Sequence, residues 1–153
     1  MRLRRIKTAA GFPDIELGTV GTTTVGDVTV EVIDSTEEHV SLLWRCFDKA
    51  ALRALVARRD FSMKLDAMHG VQGPYARRVF VEELGAPADC LLNCQPKEDF
   101  GGPSTPSHGH ADPNLKNARE LCDLLGLLPD GAAADTGEAT ASFGAAWDGD
   151  ADR

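Results

Sequence analysis

Three carboxylates at alternate positions, Asp148, Asp150 and Asp152, are separated only by Gly149 and Ala151 and followed by Arg153. They come directly after an apolar run, Phe143, Ala145, Ala146 and Trp147, that reads as a buried strand end. Like charges a few ångströms apart repel and raise one another's pKa, so such a cluster persists most readily around a hard dication, which inverts that logic. Gly149 and Ala151 have almost no side chain, and a short loop can therefore turn all three aspartates toward one point. Oxygen-only ligands in a compact loop favour Mg²⁺, or Mn²⁺ in its place, over Zn²⁺. Arg153 adds a planar cation at the rim, suited to a pair of phosphate oxygens.

Three other readings compete. An EF-hand loop also opens with alternating acidic residues, but it needs Gly at its sixth position and Glu at its twelfth, and here the sixth residue is Arg153. A solvated acidic tail is the ordinary alternative, against which stands the hydrophobic run ending in Trp147. An aspartyl-phosphate nucleophile also sits just after a strand, yet no Lys or Ser/Thr motif of that class follows.

The elements that must hold this loop come from a chain of 153 residues with 42% hydrophobic content, enough for one domain with its own core. A net charge of -8 argues against nucleic acid or an anionic membrane as partner. No apolar stretch reaches the ~20 residues of a transmembrane helix. The basic start, Met1 to Lys7, lacks the apolar core of a signal peptide, although a transit peptide stays open. Four cysteines (Cys46, Cys90, Cys94, Cys122) without a secretory signal point to free thiols in a reducing, cytoplasmic setting. Cys90 and Cys94 flank Leu91 and Leu92 in what reads as a packed strand. His108, His110 and Asp112 lie in a turn-rich tract that argues against a metal role.

Along the chain, Val28 to Ile33 reads as a strand after a Gly- and Thr-rich approach (Gly18, Gly21, Gly26) suggesting turns or an edge. Ser35 and Glu38 resemble a capping box, and helical spacing runs from Val40 to Leu55 with a possible break at Asp48. Phe61, Met63 and Leu65 form a second strand running into Asp66 to Gly73. Pro74 suits a first helical position, and Gly85 ends that helix. A third strand covers Asp89 to Asn93. A helix follows from Asp112-Pro113 to Gly126, and a final strand from Ala141 to Trp147. This alternation predicts an α/β fold, a layered domain with a mixed, largely parallel sheet flanked by helices. Ligands gather at strand carboxyl ends in such folds, where the acidic loop sits.

Five motifs in one order then narrow the field: Asp66-Ala67-Met68-His69-Gly70-Val71, Glu82-Glu83-Leu84-Gly85-Ala86-Pro87, Glu98-Asp99-Phe100-Gly101-Gly102, Asp112-Pro113-Asn114-Leu115, and Phe143 to Arg153. Together they resemble the second domain of phosphoglucomutases, members of the α-D-phosphohexomutase family. Pro13 to Gly18 and Thr29 to Ser35 resemble the entry to that domain, so residues 1–12 form a linker or remnant and 13–153 the domain. The stretches 103–109 and 129–140 read as insertions in surface loops.

The resemblance implies intramolecular phosphoryl transfer, glucose 1-phosphate to glucose 6-phosphate through glucose 1,6-bisphosphate, with one Mg²⁺ beside a phosphoserine of the first domain. Asp148, Asp150 and Asp152 inherit the metal-ligand role and Arg153 a phosphate-facing one. Ala151 stands where some relatives have Gly, which is tolerable unless that residue needs a positive φ. His69, in a strand-to-helix turn beside Asp66, is read as a brace and not an acid or base, and Glu98 to Gly102 as a structural turn. The family's Thr-Ala-Ser-His-Asn serine motif, its Gly-Glu-Glu-Ser sugar loop and its Arg- and Gly-rich phosphate loop do not occur here. The expectation is thus a truncated product or partial gene model, with no catalytic residue of its own. It would act on a hexose phosphate only together with the missing catalytic, sugar-binding and phosphate-binding domains. The alternative is a non-catalytic metal-binding fragment or interaction module of the same descent.

Overall fold

Met63 and Leu65 alternate with Lys64 along a short strand whose apolar side chains are buried, Leu65 almost completely. A computed structural model, described here for residues 15–134 and 139–153, makes this strand the middle of a parallel sheet. The expected linker over 1–12, the motif residues Pro13 and Asp14, and part of the 129–140 insertion lie outside the described residues. Two compact units are present, one up to Glu37 and one from Glu38 to Arg153.

In the first unit, β1 (Gly21–Val25) and β2 (Val28–Val32) pair antiparallel, Val25 opposite Val28. Gly26, with φ 60°, supplies the left-handed backbone of the two-residue connection. The Gly- and Thr-rich approach is therefore itself a strand, and β2 belongs to this hairpin and not to the parallel sheet. The helix cap also differs from expectation. Asp34, not Ser35, does the capping, its Oδ1 accepting from the Thr36 amide (2.9 Å) and hydroxyl (2.7 Å). Helix α1 spans Ser35–Cys46.

The break at Asp48 is real. Its side chain accepts from the Ala51 amide at 3.0 Å and starts α2 (Lys49–Val56). β3 (Met63–Asp66) pairs parallel with β4 (Leu91–Leu92) on one side and β5 (Phe143–Ala146) on the other, Leu65 facing Leu91 and Ala145. The Ser142 and Phe143 amides both donate to the Ser62 carbonyl (3.0 and 3.1 Å), which sets the register where β3 and β5 begin. α3 (Gln72–Ala76) runs on into a wider, π-wound segment, Arg77–Glu83. Pro74 is thus the third helical residue and not the first. Gly85, at φ 80°, stops the helix as expected.

Several expected elements are shorter: the final strand runs Phe143–Ala146 and not Ala141 to Trp147, and Phe61 lies ahead of the second. The third strand keeps only Leu91 and Leu92, because Cys90 belongs to a 3₁₀ turn (Ala88–Cys90) and Asn93 has φ 51°. The last helix, α4 (Arg119–Leu124), does not begin at Asp112. Asn114 Oδ1 accepts from the amides of Lys116 (3.0 Å) and Asn117 (2.9 Å), holding a separate turn ahead of it. All four cysteines are free.

The core gathers Met63, Leu65, Ala86 and Cys90 beneath the sheet, with Val40, Val79 and Leu84 as a second cluster. Between them an apolar groove of about 440 Å³ stays open, lined among others by Trp44, Phe47, Leu52, Phe80, Phe143 and Trp147. Phe47 and Phe143 are 57% and 48% exposed, too much for settled core side chains. The native chain is therefore expected to enhance the fluorescence of anilinonaphthalene sulfonate without denaturant. A titration with no enhancement would show that the groove closes in solution. No helix among the described residues is long and apolar enough to cross a membrane.

Candidate metal centre

Parallel pairing makes β3 and β5 end on the same side, so the turn after Asp66 and the loop after Ala146 lie against each other. The Trp147 amide donates to the Asp66 carbonyl (3.0 Å), and the Val71 amide to the Gly149 carbonyl (3.1 Å). Gly70 is needed here for closeness and not for its φ. A Cβ on it would come within 2.7 Å of the Gly149 carbonyl oxygen. Gly73 plays the same part against the Cys94 backbone.

The turn itself is held by Asp66 and His69. Asp66 Oδ1 accepts from the Met68 amide (2.8 Å) and from Asn93 Nδ2 (3.1 Å). Burial pushes its carboxyl above the usual range and the Glu120 charge adds to that, while these two hydrogen bonds pull the other way. His69, at φ 58°, donates its amide to the Asn93 carbonyl (2.8 Å), accepts from the Lys97 amide (3.0 Å), and has Nδ1 2.9 Å from the Gln95 carbonyl. These three hydrogen-bond partners are all backbone, in keeping with a brace, and its charge also acts on Asp66.

Within the loop, Asp148 is buried and Asp150 and Asp152 are exposed. Asp148 Oδ1 accepts from the amides of Asp152 (3.0 Å) and Arg153 (3.3 Å), and Oδ2 from Arg153 Nε (3.0 Å). Burial works to raise its pKa, but the Arg153 amide, Asp152 and the Arg153 guanidinium outweigh it and hold the carboxyl below its ordinary value. Asp152 is shifted upward, first by its hydrogen bonding with Asp148 and then by the neighbouring Asp150 and Asp148 charges.

One oxygen from each aspartate lies within 4.8 Å of the other two. Oxygens facing each other across a Mg²⁺ ion at ~2.1 Å each are about 4.2 Å apart, so small rotations of the exposed pair bring all three within reach. The donor set fits a hard dication. Arg153 reaches three carboxylates, Asp148 at 3.0 Å, Asp152 at 3.7 Å and Asp112 at 3.7 Å, with its side chain 68% exposed. Asp112 was not legible as a neighbour of Arg153. His108 has its Nδ1 3.0 Å from the Pro103 carbonyl. Among the described residues the three aspartates are the only such cluster of potential ligands.

Ala151 has φ 63°, so the condition under which a methyl group there is costly is met. The left-handed region costs an L-residue ~1–2 kcal/mol, and glycine's greater freedom in the unfolded chain returns roughly 0.5–1 kcal/mol of that gain. Ala151→Gly is therefore expected to stabilise the fold, raising Tm by about 2–4 °C in a chain of this size. A thermal melt showing no gain would mean the loop relaxes around the alanine at no cost.

An α/β domain with an acidic loop at its strand ends is a general architecture, and comparison with known proteins makes it particular. No protein-family model matches the chain. It is 44% identical, over 99% of its length, to a protein of Arabidopsis thaliana named probable phosphoglucomutase, cytoplasmic 1. It is 46% identical over 95% of its length to the cytoplasmic phosphoglucomutase of Bromus inermis. The crystal structure of the exocytosis-sensitive phosphoprotein pp63/parafusin, a phosphoglucomutase from Paramecium in its open form, superposes with a TM-score of 0.75 over 91% of this chain, at 39% identity. Over nearly its whole length the chain is thus similar to one segment of phosphoglucomutases. It spans about a quarter of the length of the curated relatives it matches, 25% and 24% for these two.

Proposed function

We propose that residues 13–153 are the second domain of a phosphoglucomutase and supply its Mg²⁺-binding loop. The observation that carries this is the convergence of the Asp148, Asp150 and Asp152 oxygens within 4.8 Å at the end of β5. Asp148, oriented by two amides, would be the fixed ligand, and the exposed Asp150 and Asp152 would complete the set. A bound Mg²⁺ would offset the charge that spreads over the oxygens of a phosphoryl group in transfer. Arg153, which here donates Nε to Asp148 Oδ2, carries a planar set of donors that would suit a phosphate at the rim of the site.

The same proposal takes in the whole enzyme's chemistry: glucose 1-phosphate to glucose 6-phosphate through glucose 1,6-bisphosphate, on a hexose phosphate substrate, in the cytoplasm. Residues outside this sequence would provide the serine nucleophile, the sugar contacts and the distal phosphate contacts. A second reading, a non-catalytic metal-binding or interaction module, is favoured by one observation: no serine here lies in a Thr-Ala-Ser-His-Asn motif. Calorimetric titration of the chain with Mg²⁺ and with Mn²⁺ tests the first reading. One saturable site per chain supports it, and a flat titration with both ions removes it.

A further inference from the structure

Gly149, between two of the acidic residues, is enclosed by a segment far away in sequence. A Cβ on Gly149 would lie 2.8 Å from both Cε1 and Cζ of Phe100, and 3.4 Å from Cβ of Ala111. The Gly149 amide also donates to the Ala111 carbonyl at 3.1 Å. Phe100 and Ala111 are the two ends of one loop, and that loop closes on itself. Thr105 donates its amide (3.3 Å) and hydroxyl (2.9 Å) to the Gly102 carbonyl, His108 N donates to Thr105 O (2.9 Å), and Ser107 is buried. Its middle, read from sequence as a surface insertion, is mostly exposed, with Ser107 buried, and the two ends of the loop meet the acidic loop.

Phe100 is held at φ 50°, with Gly101 and Gly102 following at 88° and 67°. A bulky residue in the left-handed region is a strained placement, kept only where its surroundings determine it. What this placement achieves is to set the ring edge against the Gly149 backbone, where no side chain intervenes. Together with the Gly70 approach from the opposite turn, it confines the backbone between Asp148 and Asp150.

Resting on the metal-loop reading above, we propose that Phe100 is a positioning residue for the centre: its ring holds Gly149 so that the Asp148 and Asp150 carboxylates converge on one ion. The aromatic ring acts through the loop backbone. Residues that orient ligands from behind typically contribute about 10–100-fold in metal affinity.

The test uses Tb³⁺, an oxygen-seeking ion whose luminescence the neighbouring Trp147 can sensitise, on the full chain. Lifetimes in H₂O and D₂O give the number of bound waters. Phe100→Ala is expected to weaken Tb³⁺ binding about tenfold and to add bound water to the ion, while the thermal melt reports any general loss of fold separately. Gly149→Ala should weaken binding in the native background, where the methyl meets the ring, and cost little in the Phe100→Ala background. Equal effects of Gly149→Ala in both backgrounds, or unchanged affinity and water number in Phe100→Ala, would overturn the proposal. If native chain and Asp150→Asn bind Tb³⁺ alike, the metal-loop reading itself is wrong and this one falls with it.

Discussion

Asp150→Asn is expected to bind Mg²⁺ at least about 100-fold more weakly than the native chain, since losing a direct ligand exceeds the upper end of what outer residues contribute. Asparagine keeps the shape and one oxygen but removes the charge that a hard cation requires. Because Asp150 is exposed and no hydrogen bond of its side chain holds the loop, its replacement leaves the Asp148 network intact. Asp148→Asn is a less clean variant, since that carboxylate also orders the Asp152 and Arg153 amides. Native affinity is itself expected to be weak: three protein oxygens leave half of an octahedral shell to water. Calorimetry on the two chains decides the matter. Indistinguishable isotherms would remove the three aspartates as a metal site.

The second large effect is catalytic. The chain alone, given Mg²⁺, glucose 1,6-bisphosphate and glucose 1-phosphate, is expected to show no isomerisation above background. A phosphoryl group must rest on a nucleophile between the two half-reactions, and the serines present (Ser35, Ser41, Ser62, Ser104, Ser107, Ser142) lack the family's surrounding motif. Ser62 and Ser142 are already paired with each other across β3 and β5, with Ser142 Oγ donating to the Ser62 carbonyl at 2.8 Å. Ser107 is buried within the loop that follows Phe100. A placed cation supplies several kcal/mol, but without groups that position sugar and phosphate roughly 7–11 kcal/mol of effective concentration is lost. That corresponds to about 10⁵–10⁸ in rate. Turnover at an ordinary enzymatic rate by the purified chain would refute the reading of it as one domain of a larger catalyst. Activity appearing only when the remaining domains of a relative are added would support it.

Several features needed no structure. Alternating aspartates spaced by the two smallest residues announced a cluster of carboxylate oxygens, because a chain with so little side chain between them can turn all three to one side. Gly85 and Asp48 marked a helix end and a helix start through backbone preferences that act within a few residues. The strand at Met63 and Leu65 followed from a period of two over a buried face. Such signals are local, and local physics is what a sequence carries directly.

The tertiary structure decided the rest. That β2 joins a hairpin and not the parallel sheet depends on which strand edge it meets, which its own alternation does not encode. The start of α4 at Arg119 was settled by Asn114 offering the backbone an alternative partner, a choice that composition leaves open. Ala151's left-handed backbone is set by the amides gathered on Asp148, and nothing about an alanine foretells it. Above all, Gly70 and Phe100 reach Gly149 from distant parts of the chain only because parallel pairing of β3 with β5 brings their ends together. The sequence by itself determined which residues could grip a cation, and the packing of three separate loops determined what surrounds them, Gly70, Phe100 and Ala111 all lying against Gly149.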